Sequence, residues 1–284
     1  MHFLQQNQAI MKLKAILNGK LTDEELGKLV QRYDVVGDIA IIIVPHDLEH
    51  REAMIGNAIL NEHPTIKVVA KRVGNYGGEH RTIQLKIIAG ENRKETVHKE
   101  FGITLKLNPE RVYFSVRSAT ERRRIADRVS AGEHVLVMFS GIGPYPLYIR
   151  KFSEADKIIG IEKNPVAHCY AMENLSLNKI TGTIRLYNGD VQEIIPQLGI
   201  RFHRIVMPLP TSGPEYLSLA LPYLKPGGHL HHYVMCQPET LDKAIFDLSS
   251  ACEAASKKLT TYHATPCGHT GPYTYRYCIN ASID

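Results

Sequence analysis

Alternation between short apolar runs and segments of helical spacing is the feature that most restricts the fold of this chain. After about residue 118 the apolar runs HVLVMF, KIIGIE, TIRLYN and FHRIVM are separated by segments with helical periodicity. Strands that alternate with helices predict a parallel, doubly wound sheet, whose strands end along one ligand-binding crevice. The pattern therefore predicts an α/β domain at residues 119–284, which HATPCGHTGPYTYRYCINASID closes with an antiparallel hairpin.

The residues before this domain predict a smaller α+β domain at 33–118. Its run VGDIAIIIV (Val36–Val44) predicts one continuous strand, and Leu48–His63 has helical spacing. The runs IKVVAKRV and TIQLKIIAG predict two further strands, and the alternation in ETVHKEFGITLKL predicts a hairpin.

Residues 1–32 predict an N-terminal helical segment, in which Thr22 and Glu25 have the spacing of a capping box. This segment lacks the long apolar core of a signal peptide, and no run approaches the roughly 20 apolar residues of a membrane span. The five cysteines are scattered without a C-x-x-C pair, which favours a reducing compartment. We therefore expect a cytoplasmic protein with no membrane anchor.

Three histidines in GGHLHHYV are the remaining candidates for a metal site. Alternation along a strand places His231 on the opposite face from its neighbours, so the histidines do not converge on one ion. We expect no metal, and we interpret His229, His231 and His232 as structural or pocket-wall residues.

Basic residues are concentrated in one part of the chain. Residues 51–130 contain 16 Lys and Arg against 9 Asp and Glu, an excess of +7, whereas the remainder contains 18 against 20. Pairs such as Lys71-Arg72 and Arg93-Lys94 lie in this basic block, as does Arg122-Arg123-Arg124. Charge runs are commonly solvated surface, but a concentrated excess is also typical of a surface that binds a polyanion such as RNA.

Glycines and acids follow the predicted strands of the larger domain. Gly141 and Gly143 follow the first strand, Glu162 ends the second, and Asp190 follows the third. Glycines let the backbone approach a ligand, and an acid after the second strand is suited to a ribose. The third glycine of a dinucleotide fingerprint is missing, so the pattern favours S-adenosylmethionine over NAD.

The motifs MFSGIGPY, EKNP, MENLSLNK, NGDV and MPLP, in this order, resemble the catalytic domain of archaeal and eukaryotic tRNA guanosine-37 N1-methyltransferases. NPERVYFSVRSATERRRIA resembles the linker motif of that family, and GGEHR and TVHKEFG resemble its smaller tRNA-binding domain. The resemblance implies a class I, Rossmann-like methyltransferase fold, S-adenosylmethionine as cofactor, and the tRNA anticodon stem-loop as partner. We expect a monomer.

The resemblance also implies roles for individual residues. The implied cofactor-binding residues are Phe139, Gly141, Gly143, Pro144, Glu162, Asp190 and Pro208. The implied catalytic residues are Glu121 as the general base on guanine N1, Arg81 as the cation that stabilises charge on O6, and Tyr113 in the base pocket. These roles agree with the chemistry of the reaction, because alkylation at N1 requires loss of the N1 proton, and negative charge develops on O6 as that proton leaves.

Departures from the family pattern leave other functions open. Pro208 stands where the family has an Asn that contacts the target guanine or the methyl donor, and Val137 and Val116 replace the family's Asp and Pro. The related wybutosine-pathway aminocarboxypropyltransferases typically have His where this chain has Pro144, which favours methyl transfer. Aminocarboxypropyl transfer, methylation of a tricyclic wyosine precursor and non-catalytic tRNA binding remain alternatives.

Overall fold

The computed structural model describes residues 13–210, 213–269 and 273–284. The chain divides into two compact units: the first ends at Val116, and the second runs from Arg117 to Asp284 and also includes Phe101–Ile103. Each unit has its own sheet. Within the described residues, no helix is long and apolar enough to cross a membrane.

The first unit is built on a four-stranded sheet in the order β1-β2-β3-β4, with a separate β5-β6 hairpin. Strands β2 and β3 are parallel, and the other two pairs of the sheet are antiparallel. The elements are β1 (Asp34–Val36), β2 (Ile39–Ile42), β3 (Val68–Gly77), β4 (Thr82–Gly90), β5 (Thr96–Glu100), β6 (Ile103–Leu107), α1 (Asp23–Lys28) and α2 (Glu52–Glu62).

The prediction of one continuous strand at Val36–Val44 is wrong, because a tight turn divides it. Val36 pairs with Ile39 across the two residues Gly37 and Asp38, and Gly37 adopts a φ of 59°. A Cβ on Gly37 would collide with the side chain of Thr96, so both the backbone angle and the space require glycine. Gly-Asp between two apolar runs is a recognised hairpin signal, which the long apolar run obscured.

Leucines from the N-terminal segment pack into the core of the first unit. Leu13, Leu17, Leu21, Leu26 and Leu29 join one buried cluster with residues of β2, α2 and β3. The predicted capping box is present, since Thr22 accepts from the Glu25 backbone N–H and Glu25 accepts from that of Thr22. The part of the predicted helical segment before residue 13 lies outside the described residues.

The second unit has the predicted doubly wound α/β sheet, with the strand order β12-β13-β11-β10-β7-β8-β9. Strands β11, β10, β7, β8 and β9 are parallel, and the predicted C-terminal hairpin adds β13 and β12 in antiparallel pairing. The strands are β7 (His134–Met138), β8 (Lys157–Glu162), β9 (Ile184–Asn188), β10 (Phe202–Met207), β11 (Leu224–Cys236), β12 (Leu259–His269) and β13 (Tyr275–Ile283). The helices are α3 (Ala119–Ala126), α4 (Pro144–Phe152), α5 (Pro165–Leu177), α6 (Val191–Gln197), α7 (Gly213–Ala220) and α8 (Leu241–Ala254).

One face of this sheet is covered by α6, α7 and α8. Residues from the parallel strands and from β13 form one buried cluster with Val191, Leu217 and Leu248 of these helices. Because the five parallel strands point the same way, the loops after β7, β8, β9 and β10 lie at one edge of the sheet. The predicted cofactor residues all lie in or next to these loops.

Substitution at Gly90 should destabilise the first unit more than substitution at Gly74. Both residues have a positive φ, of 88° and 77°, but a Cβ at position 90 would collide with the backbone carbonyl of Lys67, whereas position 74 is open. We expect Gly74→Ala to lower the free energy of unfolding by about 1 kcal/mol, and Gly90→Ala to lower it by at least ~2 kcal/mol. Denaturant titration of both variants measures the difference, and equal losses would contradict the steric assignment.

Candidate active site

The loop after β7 is a tight, glycine-dependent turn. Phe139, Gly141 and Gly143 have φ angles of 54°, 58° and 84°, and the Gly143 N–H donates to the Ser140 carbonyl at 3.0 Å. Helix α4 begins at Pro144, whose missing N–H costs nothing at the first helical position. A positive φ is unfavourable for Phe139, and strained residues of this kind cluster at ligand sites.

The Glu162 carboxylate connects this loop to the end of β8. Its Oε2 accepts the Gly141 N–H at 2.7 Å, and its Oε1 accepts the Asn164 N–H at 2.7 Å. Two backbone donors from different loops therefore fix the orientation of this carboxylate. A carboxylate is an acceptor for hydroxyl groups as well as for N–H groups, so its chemistry suits a diol such as a ribose.

Asp190 caps a helix at the third strand end. Its side chain accepts the Gln192 N–H at 2.9 Å, which makes it the N-cap of α6, and it pairs with Lys163 at 2.9 Å. The Gln192 N–H and Lys163 both lower the pKa of this carboxyl, against a smaller opposing effect of burial. Sequence reasoning identified Asp190 only as a ligand residue and missed this capping role.

The three strand ends are suited to an adenosyl group. Strands β7, β8 and β9 are neighbours in the sheet, and adjacent strands lie about 4.8 Å apart. The glycine loop follows β7, the Glu162 carboxylate lies at the end of β8, and the Asp190 carboxylate lies one strand further. The acceptor chemistry and this spacing fit S-adenosylmethionine.

Glu121 is buried in the first turn of α3, where it is 6% exposed. Arg124 binds it in a bidentate pair with both contacts at 2.7 Å, and Tyr233 Oη donates to Oε1 at 2.5 Å. Tyr145 Oη in turn donates to Tyr233 Oη at 2.9 Å. Burial acts to lower the pKa of Arg124, but its hydrogen bonds and charge interaction with Glu121 outweigh this effect and raise it.

A chain of buried polar contacts continues from Arg124 across the sheet. Arg124 donates to Asn280 Oδ1 at 3.0 Å, and His231 Nδ1 lies 2.9 Å from the same oxygen. His231 Nε2 lies 2.7 Å from Arg204, which forms a buried pair with Glu133. Burial and the neighbouring arginines lower the pKa of His231. His231 is thus part of a polar network, and within the described residues no group of three His, Cys, Asp or Glu side chains could hold a metal.

Arg81 and Tyr113 meet in the first unit. The Arg81 guanidinium carbon lies 5.2 Å from the Tyr113 ring centroid, and Arg81 has a φ of 50° in the turn after β3. The Tyr76 ring packs edge-on to Tyr113 at 5.6 Å, and Arg72 lies 5.0 Å from the Tyr76 ring centroid. Both tyrosines are 41% exposed. This cation–aromatic cluster has the chemistry of a surface for unstacked nucleobases.

Tyr76 and Arg72 were missed by sequence reasoning. Both lie on β3, and their contact with Arg81 and Tyr113 depends on the β3–β4 connection and on the position of Tyr113. The run RVGNYGGEHR offered one signal, because an aromatic and two arginines flank a glycine-rich turn.

Many charges of the basic block are paired. Lys71 contacts Glu49 and Glu52, and Arg93 contacts Asp38. Further pairs join Lys94 to Glu110, Lys106 to Glu95, Arg123 to Asp127 and Arg124 to Glu121. The block's capacity to attract a polyanion therefore comes from its net excess rather than from the number of its basic residues.

Pro208 directly follows β10 at the same edge of the sheet as the glycine loop. Met207, the last residue of β10, is paired in register with His232 of β11. His232 is 3% exposed, and burial lowers its pKa to about 4. Its Nδ1 is buried and has no hydrogen-bond partner among the described residues. A buried polar atom without a partner is rare in folded proteins and needs a structural or functional explanation.

The stability of the second unit should depend on pH through His232. Its folded pKa of about 4 lies below the unfolded value near 6.5, so stability is fully present above pH 6.5 and is lost as the pH falls toward 4. His232→Leu removes this term, so its free energy of unfolding relative to the parent should rise by roughly 3 kcal/mol between pH 7 and pH 4. Denaturant titrations at several pH values test this, and parallel losses in both proteins would contradict it.

Several known proteins are similar to this chain in sequence and fold. Residues 96–260 match the model of the TRM5/TYW2 methyltransferase domain, and residues 13–93 match the TYW2 N-terminal domain. The chain is 39% identical over 201 residues to the tRNA (guanine(37)-N(1))-methyltransferase Trm5b of Pyrococcus abyssi, covering 71% of this chain and 59% of that enzyme. It is 32% identical over 267 residues to Trm5b of Methanocaldococcus jannaschii, covering 92% and 76%.

A solved structure agrees with these relatives. The complex structure of aTrm5 and tRNALeu matches with a TM-score of 0.83 at 30% identity, covering 96% of this chain and 78% of that one. The fold, the order of the motifs and the family models all agree, and the chain belongs to the TRM5/TYW2 methyltransferase family.

Proposed function

We propose that this chain is a tRNA methyltransferase that moves the methyl group of S-adenosylmethionine to N1 of guanosine 37. The observation that carries the proposal is the pair of strand-end loops joined by Glu162, in a chain 39% identical to an enzyme named for this reaction. The Trm5 structure solved with tRNALeu supports tRNA as the partner. The alignment spans 59% of the Pyrococcus abyssi enzyme, so the activity of that whole enzyme does not transfer directly to this chain. The residues of this chain therefore have to support the activity, the substrate and the partner.

The glycine loop and the two acids bind the methyl donor. Glu162 accepts the ribose hydroxyls, Asp190 lies near the adenine, and Phe139, Gly141, Gly143, Pro144 and Pro208 line the same edge. S-adenosylmethionine supplies a methyl group already activated by a sulfonium. The protein therefore has to align donor and acceptor and to handle one proton.

Glu121 is the proposed acceptor of the guanine N1 proton. Its Oε1 accepts from Tyr233 and Arg124, whereas its Oε2 accepts only from Arg124 among the described residues. One acceptor position on Oε2 therefore remains for the proton. Tyr233 and Arg124 fix the orientation of the carboxylate, and we assign them as positioning residues.

Arg81 and Tyr113 are the proposed base-recognition residues of the first unit. A cation stabilises the charge that develops on guanine O6 when the N1 proton leaves. An exposed tyrosine offers a stacking surface to a base that has left the anticodon loop. The neighbouring Tyr76 and Arg72 enlarge this surface.

Product analysis on defined tRNA tests the proposed reaction. The protein is incubated with S-adenosylmethionine and tRNA transcripts carrying either guanosine or adenosine at position 37, and nucleosides are identified by mass spectrometry. We expect 1-methylguanosine from the first transcript only. Equal methylation of both transcripts would refute the position, and absence of 1-methylguanosine from the first transcript would refute guanosine as the substrate.

Glu121→Gln should lower turnover strongly and leave binding intact. General-base catalysis commonly contributes a factor of about 10² to 10⁴, so we expect a loss of that order in kcat and unchanged affinity for tRNA. Asp127→Asn, at the other end of α3, is the matched control and should keep parental activity. Thermal unfolding checks folding, and parental turnover in the Glu121 variant would remove its assignment as the base.

Binding of tRNA should weaken steeply with salt. If the excess of +7 in residues 51–130 contacts phosphates, the slope of log K against log salt should approach roughly −5. Fluorescence anisotropy at several salt concentrations measures this slope. A slope near zero would exclude the electrostatic role of the block.

A further inference from the structure

We infer that His232 is a binding residue for the target nucleobase, which its imidazole ring contacts by a hydrogen bond. This inference rests on the proposed function and deepens it, because the proposal leaves the nucleobase without a polar contact at the end of β10. Pro208 and Pro210 flank Leu209 there, and none of these three side chains can donate or accept a hydrogen bond.

Strand register fixes the position of His232 at the level where β10 ends. It pairs with Met207 on one side and with Ile279 of β13 on the other. Met207, Ile279 and Leu230 belong to one buried cluster, and Val234 packs against it, so alternation along β11 places His232 on the same face. The ring is therefore surrounded by apolar side chains at the level where the Pro208 loop begins.

The chemistry of the ring argues against a packing role alone. An unsatisfied buried polar group is destabilising, and a leucine in this environment would avoid that cost. The neutral ring, whose pKa is lowered to about 4, is able to donate from one nitrogen and accept at the other. Cost without a partner is typical of functional positions, where a ligand completes the hydrogen bonding.

The strand order identifies which ligand the ring faces. Strand β11 is separated from β7 by β10, and from β8 by β10 and β7. At about 4.8 Å per strand, His232 lies two strands, or roughly 10 Å, from the glycine loop and roughly 14 Å from the ribose-binding Glu162. The ring is thus beyond the proposed position of the nucleoside, at the level of the Pro208 loop, where the proposal places the acceptor base.

The test compares His232→Leu with His229→Leu and the parent. His229 is the matched control, since it lies on the same strand three residues earlier and its Nδ1 has a partner in Ser282 at 3.1 Å. Three quantities are measured: the affinity for S-adenosylmethionine by calorimetry, the affinity for tRNA by anisotropy, and kcat/KM with methyl-labelled donor. Thermal unfolding at pH 7.5 reports on folding.

We expect His232→Leu to be at least as stable as the parent, to bind S-adenosylmethionine normally, and to lose roughly tenfold or more in kcat/KM for tRNA, as the loss of one hydrogen bond predicts. His229→Leu should keep parental kcat/KM. Should the Leu variant be unstable, His232→Gln, which retains a polar group, should recover stability and part of kcat/KM.

Three results would overturn the inference. Parental kcat/KM in a folded His232→Leu variant would show that the ring makes no contact with the base. Weakened binding of S-adenosylmethionine with unchanged tRNA affinity would assign the ring to the methyl donor. Equal losses in both histidine variants would indicate a general effect on the sheet. Failure of the proposed function is distinguishable, because the parent itself would then transfer no methyl label.

Discussion

The hydrogen bond between the Gly141 N–H and the Glu162 carboxylate is the interaction on which the candidate site depends. It joins the loop after β7 to the end of β8, and the same carboxylate holds the Asn164 N–H at the start of α5. One side chain thus fixes two strand ends and one helix start, at the position where the ribose is proposed to bind. The acid after the neighbouring strand β9 also has a structural role. Asp190 caps α6 at the end of the sheet where the adenine is proposed to bind.

Burial determines how the proposed catalytic carboxylate works. Glu121 is almost inaccessible to water and is held by Arg124 and Tyr233, so its orientation is set before substrate binds. Preorganised groups act without rearranging during the reaction, which is the general basis of electrostatic catalysis. The polar chain through Asn280, His231 and Arg204 extends this rigidity across three strands. The His232 side chain lies on the opposite face, and its Nδ1 has no hydrogen-bond partner in the part of the chain that the structure describes.

Sequence reasoning predicted the parts of the molecule that follow from local patterning. The parallel strands, the capping box at Thr22 and the glycine loop all follow from periodicity and turn chemistry. The turn at Gly37 was missed because an apolar run on both sides resembles one strand. The contact of Glu121 with Tyr233 could not be predicted, since Tyr233 is 112 residues away and the contact depends on the fold. The unpaired nitrogen of His232 is likewise a property of packing, which no local pattern encodes.

Isotopic labelling distinguishes transfer of a methyl group to tRNA, as proposed for this chain, from transfer of another part of the donor. Two samples of S-adenosylmethionine are used with the same tRNA, one labelled on the methyl group and the other on the carboxyl carbon. We expect label in tRNA from the methyl sample alone. Label from the carboxyl sample would mean that the aminocarboxypropyl group moves, and it would contradict the assignment.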